Sequence, residues 1–124
     1  MKRKILEVED NGSMREILST LLQGEGYEVE IAKDGQEGMM LLKKNFNGFD
    51  LIITDFRMPK MNGIEVIRWV KQRDSKIKTV LISGDDMRLV EPVAKAAGAD
   101  KVIPKDSNFS LAYISKTVKE LFVR

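Results

Sequence analysis

Short apolar or β-branched runs recur through the chain at residues 5–8, 28–32, 51–54, 79–83 and 101–103, and a stretch with helical spacing follows each of them. No other feature narrows the fold as much. Each run is the length of a strand, and each intervening stretch carries its apolar residues on one helical stripe. Strict strand-helix alternation requires parallel strands joined by right-handed crossovers, with helices on both faces. The expected architecture is therefore an α/β doubly wound parallel sheet of five strands and five helices. At 124 residues the chain has room for one such unit, and residues 1–124 are read as a single domain.

The stripes are Met14, Ile17, Leu18, Leu21 and Leu22 in the first helix, then Met39, Leu41 and Leu42 in the second. Ile64, Ile67 and Val70 mark the third helix, and Val90, Val93, Ala94 and Ala97 the fourth. The fifth carries Leu111, Ile114, Val118, Leu121 and Phe122. Ser13 with Glu16 forms a capping-box pattern for the first helix, which Gly24 and Gly26 close. Pro92 lacks a backbone N–H, so the fourth helix is expected to begin near Val90 or Glu91 behind a long, mobile loop from Gly84. Glu7 falls in the middle of the first strand. A charge buried there is costly unless it is paired or neutralised.

In open α/β sheets ligands bind beyond the carboxyl ends of the strands. Those ends are chemically rich in this chain. The first strand runs into Glu9 and Asp10, the third into Asp55, the fourth into Ser83 and Gly84, and the fifth into Pro104 and Lys105. Taken singly, these are ordinary residues: helix-start acids, a turn aspartate, a strand-end hydroxyl and a surface lysine. Their coincidence on one rim favours a site. Clustered carboxylates repel one another by about 1–4 kcal/mol per pair, depending on the local dielectric. Lys105 offsets part of that repulsion, and a hard cation such as Mg²⁺, which favours oxygen ligands and phosphate, suits the remainder. An aspartate beside such an ion is a candidate nucleophile toward phosphorus, and Asp55 is the best placed.

Composition removes several other classes of function. With no cysteine and no histidine, the chain has no thiol chemistry, disulfide or imidazole metal ligand. A formal charge of +2 without a basic block argues against direct nucleic-acid binding. No apolar run approaches the roughly 20 residues of a membrane span, and nothing resembles a secretion signal, so a cytoplasmic location is expected.

The acidic pair Glu9-Asp10, the loop from Asp55 through Met58-Pro59 to Asn62-Gly63, Ser83-Gly84, Gly98-Ala99-Asp100 and Lys105 together resemble the receiver domain of two-component response regulators. The resemblance covers essentially the whole chain. It implies a flavodoxin-like receiver fold with strand order 2-1-3-4-5. It implies that Asp55 accepts phosphate from the phosphohistidine of a sensor histidine kinase or phosphotransfer protein. It further implies that Asp10, Asp55 and the backbone carbonyl of Arg57 bind Mg²⁺, with Glu9 assisting. Ser83 would hydrogen-bond one phosphoryl oxygen and Lys105 would pair with another. The output would be a change in the face built from the fourth helix, fifth strand and fifth helix, read by a downstream effector. Such a domain is no enzyme in the ordinary sense, promoting only its own phosphorylation and dephosphorylation. The sequence leaves a homodimer open.

Two positions depart from the family pattern. Asp106 follows Lys105 where proline is usual, so a trans bond is expected, and Val102 stands where an aromatic switch residue is usual. Both departures support an alternative, a receiver-like interaction module that works without phosphorylation. A flavin- or nucleotide-binding enzyme is disfavoured, because the first strand leads into Glu-Asp-Asn-Gly and not into a glycine- or hydroxyl-rich phosphate cradle. Arg57 and Asp85 each lie two residues beyond a site residue. If they pair, the phosphoryl group should be shielded from water.

Overall fold

The computed structural model describes residues 2–74, 76–106 and 109–123. Strands β1 (Lys4–Val8), β2 (Glu28–Ala32), β3 (Leu51–Asp55), β4 (Lys78–Ser83) and β5 (Lys101–Pro104) alternate with helices α1 (Gly12–Gly24), α2 (Gly35–Lys44), α3 (Gly63–Arg73), α4 (Met87–Ala97) and α5 (Leu111–Phe122). A short 3-10 turn at Phe46–Gly48 precedes β3. All pairings are parallel and the order is β2-β1-β3-β4-β5, as expected.

Alternation along the strands divides the core. Ile5, Leu51, Ile53, Val80, Ile82 and Ile103 meet Leu18 and Leu22 of α1 and Ile114, Val118 and Leu121 of α5. On the opposite face Leu6, Val8 and Ile52 meet α2 and α3, while Leu81 joins α3 to α4 through Ile67, Val90, Ala94 and Ala97. Each large side chain buried in this way contributes about 1.5–3 kcal/mol. Not every residue of the expected stripes is inside. Ile17 and Val93 stand about half exposed, because an arc of buried residues narrower than the stripe suffices against a flat sheet.

Three local expectations require correction. The N-cap of α1 is Asn11, whose side chain accepts from the Met14 N–H at 2.9 Å; Ser13 and Glu16 lie inside the helix, beyond the cap. The capping box occurs at α3 instead, where Asn62 and Glu65 bond reciprocally. The fourth helix starts at Met87, with Asp86 as N-cap and Pro92 inside it. Pro92 and Arg88 are both exposed on one face, so water can serve the carbonyl that loses its donor. The buried stripe of Val90, Ala94 and Ala97 rewards the extra turn. Consequently, only Gly84, Asp85 and Asp86 separate Ser83 from Met87, where a long loop was expected.

Glu7 shows the cost foreseen for it. It is fully buried between Ile31 and Ile53 on the neighbouring strands, and neither carboxylate oxygen has a hydrogen-bond partner. Burial, with the Glu9 charge second, pushes its carboxyl up to about 8, so it is held neutral near pH 7.

Candidate functional site at the carboxyl edge of the sheet

Strand register brings the chemistry-bearing residues to one edge. Val8 pairs with Thr54, Asp55 with Ile82, and Ser83 with Pro104, so β1, β3, β4 and β5 all finish at the same level. Oxygens of Glu9, Asp10 and Asp55 come within 4.8 Å of one another. Glu9 is fixed from two sides: its carboxylate accepts from the Asn11 N–H at 3.0 Å, and its carbonyl accepts from the Arg15 guanidinium at 2.8 Å. The Asp55 carboxylate accepts from the Phe56 N–H at 3.0 Å. Lys105 Nζ lies 3.2 Å from Asp55 and 3.7 Å from Glu9.

One ammonium does not balance this cluster. Burial raises the Asp55 carboxyl above its ordinary range against the opposing pull of Lys105, with Asp10 adding to the rise. Burial likewise raises Glu9, opposed by the Asn11 N–H and Lys105 and assisted by Asp55 and Asp10. All-oxygen donors in a region short of positive charge fit a hard divalent cation.

The backbone keeps the acceptor strand tip tight against α3. The Gly63 N–H donates to the Phe56 carbonyl at 2.9 Å, and a Cβ on Gly63 would collide with the Asp55 carbonyl. Lys60, in the same loop, has φ 73°, a left-handed conformation that costs a side-chain-bearing residue about 1–2 kcal/mol. Lys60→Gly should therefore stabilise the protein by about 0.5–1 kcal/mol, the larger flexibility of the unfolded chain offsetting part of the relief. An unchanged or lower urea midpoint would contradict this.

Ser83 is buried, and its hydroxyl donates to Asp85 Oδ2 at 3.2 Å while accepting from the Asp85 N–H at 3.0 Å. Asp85 in turn receives a two-pronged contact from Arg57, with Nε 3.1 Å from Oδ2 and Nη2 3.2 Å from Oδ1. Arg57 and Asp85 thus do pair, which was the condition for shielding. What the sequence did not indicate was the serine's part in it, or the hold of Arg15 on Glu9. Neither link follows a regular spacing. Further back, Asp100 accepts from the Thr79 N–H at 2.8 Å and pairs with Lys71 at 2.9 Å, tying the root of β4 to α3. No cis peptide occurs among the described residues, so the bond before Asp106 is trans as expected. Val102 packs against the α3–α4 cluster.

Residues 5–117 match the family model of the response regulator receiver domain. The chain is 32% identical to a transcriptional regulatory protein CpxR homolog of Haemophilus influenzae over 85% of its own length, and 32% identical to the response regulator MprA of a Mycobacterium species over the same share. It spans 44% and 45% of those proteins. Among solved structures it is similar to the chemotaxis response regulator CheY4 of Vibrio cholerae, with TM-score 0.87 and 31% identity over 98% of this chain and 100% of the other. It also resembles the receiver domain of a signal transduction histidine kinase from Syntrophus aciditrophicus, with TM-score 0.80 and 32% identity over 96% of this chain and 89% of that one. With the sheet order, the acid-rich strand ends and the family match in agreement over nearly the whole length, the chain belongs to the response regulator receiver domains of two-component signalling.

Proposed function

We propose that Asp55 is the phosphoacceptor and that the partner is the phosphohistidine of a sensor kinase or phosphotransfer protein. Asp10, Asp55 and the backbone carbonyl of Arg57 would hold Mg²⁺, with Glu9 supporting them. The observation that carries this reading is the meeting of three carboxylates within 4.8 Å, with the Lys105 ammonium 3.2 Å from Asp55. In the transfer, an Asp55 oxygen forms a bond to phosphorus as the donor's P–N bond breaks, and the electron pair of that bond returns to the imidazole nitrogen. When bound, the cation would supply charge neutralisation for the phosphoryl oxygens. Lys105 pairs with one of those oxygens and Ser83 donates a hydrogen bond to another. The switched surface is the α4–β5–α5 face, where Leu89, Val93 and Tyr113 are exposed to an effector or a second copy.

On this reading the chain does no chemistry beyond its own phosphorylation and dephosphorylation, and residues 1–124 act as one receiver unit. Its charge of +2 supports contact with proteins in preference to nucleic acid. No described helix is long and apolar enough to cross a membrane, in keeping with work in the cytoplasm. Acetyl phosphate with Mg²⁺ should label the wild type and fail to label Asp55→Asn, as read by intact-protein mass spectrometry. A wild type that stays unlabelled, or label that persists in Asp55→Asn, would overturn the assignment. The first outcome would favour an interaction module that works without phosphate.

A further inference from the structure

The loops after β3 and β4 are joined across the mouth of the site by a pair that the acceptor chemistry does not require. Arg57 follows Asp55 by two residues and Asp85 follows Ser83 by two, so their contact spans both loops. The Arg57 side chain is 75% exposed and that of Asp85 is 32% exposed, so either can move without disturbing the core. The buried partner is Ser83. Its single hydroxyl proton is committed to Asp85, and an ionised carboxylate is a stronger acceptor than any neutral group nearby.

We infer that Asp85 is a positioning residue that holds the Ser83 hydroxyl in reserve, and that Arg57 exchanges Asp85 for the phosphoryl group when Asp55 is charged, releasing the serine. This rests on the reading of Asp55 as phosphoacceptor. A phosphoryl dianion attracts a guanidinium in the same two-pronged geometry that a carboxylate offers. It also repels Asp85 as a like charge and competes for the serine proton. Asp85 thus loses both of its side-chain partners together. No proton is transferred: the hydroxyl keeps its hydrogen and changes acceptor.

The structure gives the release a route outward. Only Gly84, Asp85 and Asp86 connect Ser83 to the first residue of α4, and Asp86 caps that helix by accepting from the Arg88 N–H at 2.9 Å. A turn of Asp85 away from the site is passed directly to the cap. With Arg57 over the phosphoryl oxygens, the approach of a hydrolytic water is also covered, so Arg57→Asn should shorten the lifetime of the acyl phosphate.

A double-mutant cycle tests the inference, with acetyl phosphate and Mg²⁺ as the probe and the initial rate of labelling as the readout. Asp85→Ala should be labelled about three- to tenfold faster than the wild type, the scale of one charge-assisted hydrogen bond no longer held against the reaction. In a Ser83→Ala background the same change should bring a clearly smaller gain, the part that the freed Arg57 alone supplies. Asp85→Asn, which keeps the shape and loses the charge, should fall between wild type and Asp85→Ala. A gain of undiminished size without Ser83 would show that Asp85 acts only through its charge and its hold on Arg57, and would overturn the inference. So would equal rates in Asp85→Ala and wild type. If the wild type is labelled on Asp55 while the cycle shows no coupling, only this inference falls. A wild type that cannot be labelled removes the acceptor reading as well.

Discussion

Replacing Glu7 with methionine should stabilise the protein by roughly 2–4 kcal/mol at pH 7.5, an unusually large gain for one substitution. The argument follows from the neutral, unpartnered state of Glu7 in the core. Its carboxyl titrates near 8 in the folded state, against an ordinary 4.5 in the unfolded chain. Between those values the folded state holds a proton that the unfolded state has lost, so stability must fall as pH rises through this window. Below about 4.5 the two states are alike in protonation and this pH-dependent part of the penalty vanishes; by pH 7 it has grown to roughly 3 kcal/mol. Methionine matches the length of the side chain and leaves no polar atom unpaired between Ile31 and Ile53. Urea unfolding from pH 5 to 9 checks the sign. The wild type should lose stability with rising pH, and Glu7→Met should lose much less. A residual slope of the same sign belongs to Glu9 and Asp55, whose carboxyls are also raised. If the advantage of the variant fails to grow with pH, Glu7 is not carrying the cost assigned to it.

The second large effect concerns one added methyl group. Gly63→Ala should destabilise the fold by about 3 kcal/mol or more, because the new Cβ meets the carbonyl of Asp55 and, at 2.9 Å, Leu81 Cδ1. A flexible side chain can step aside, but the end of a central strand cannot. Either α3 retreats from the sheet or the tip of β3 shifts and carries the acceptor carboxylate with it. Labelling by acetyl phosphate should therefore fall in whatever fraction remains folded. Gly24→Ala provides the control, since a Cβ there meets nothing within 4 Å and alanine is the better helix residue by up to about 1 kcal/mol. Equal urea midpoints for the two alanine variants would contradict the packing argument.

The sheet and the rim were legible because their signals are long-range regularities. Apolar runs such as residues 51–54 cannot be satisfied outside a buried parallel strand, and parallel strands necessarily deliver Glu9, Asp55, Ser83 and Lys105 to one edge. Helix ends were read less well because several local patterns compete. Asn11 and Ser13 are both good caps, and the turn that follows Glu9-Asp10 decides between them. Pro92 appeared to forbid an earlier start to α4, yet its penalty falls on a solvated face while Val90, Ala94 and Ala97 gain burial. The charge of Glu7 in a strand was visible from the sequence, but its lack of any partner depends on what surrounds it in space. The triad of Ser83, Asp85 and Arg57 belongs to the same category: two loops 28 residues apart must be brought side by side before the serine's proton has a destination.

The two outer strands bear on how the protein behaves at high concentration. Every open sheet ends in rows of unsatisfied amides that invite a foreign strand to add on. Here β2 borders its rim with Glu28 and Glu30, gathered around Lys4 at 3.7 and 3.0 Å. A second copy laid alongside would set like charges together. The far rim, β5, offers only four residues and finishes in a proline that has no N–H to donate. Self-association by strand addition is thus discouraged at both borders, which favours the helical faces as surfaces for meeting other proteins.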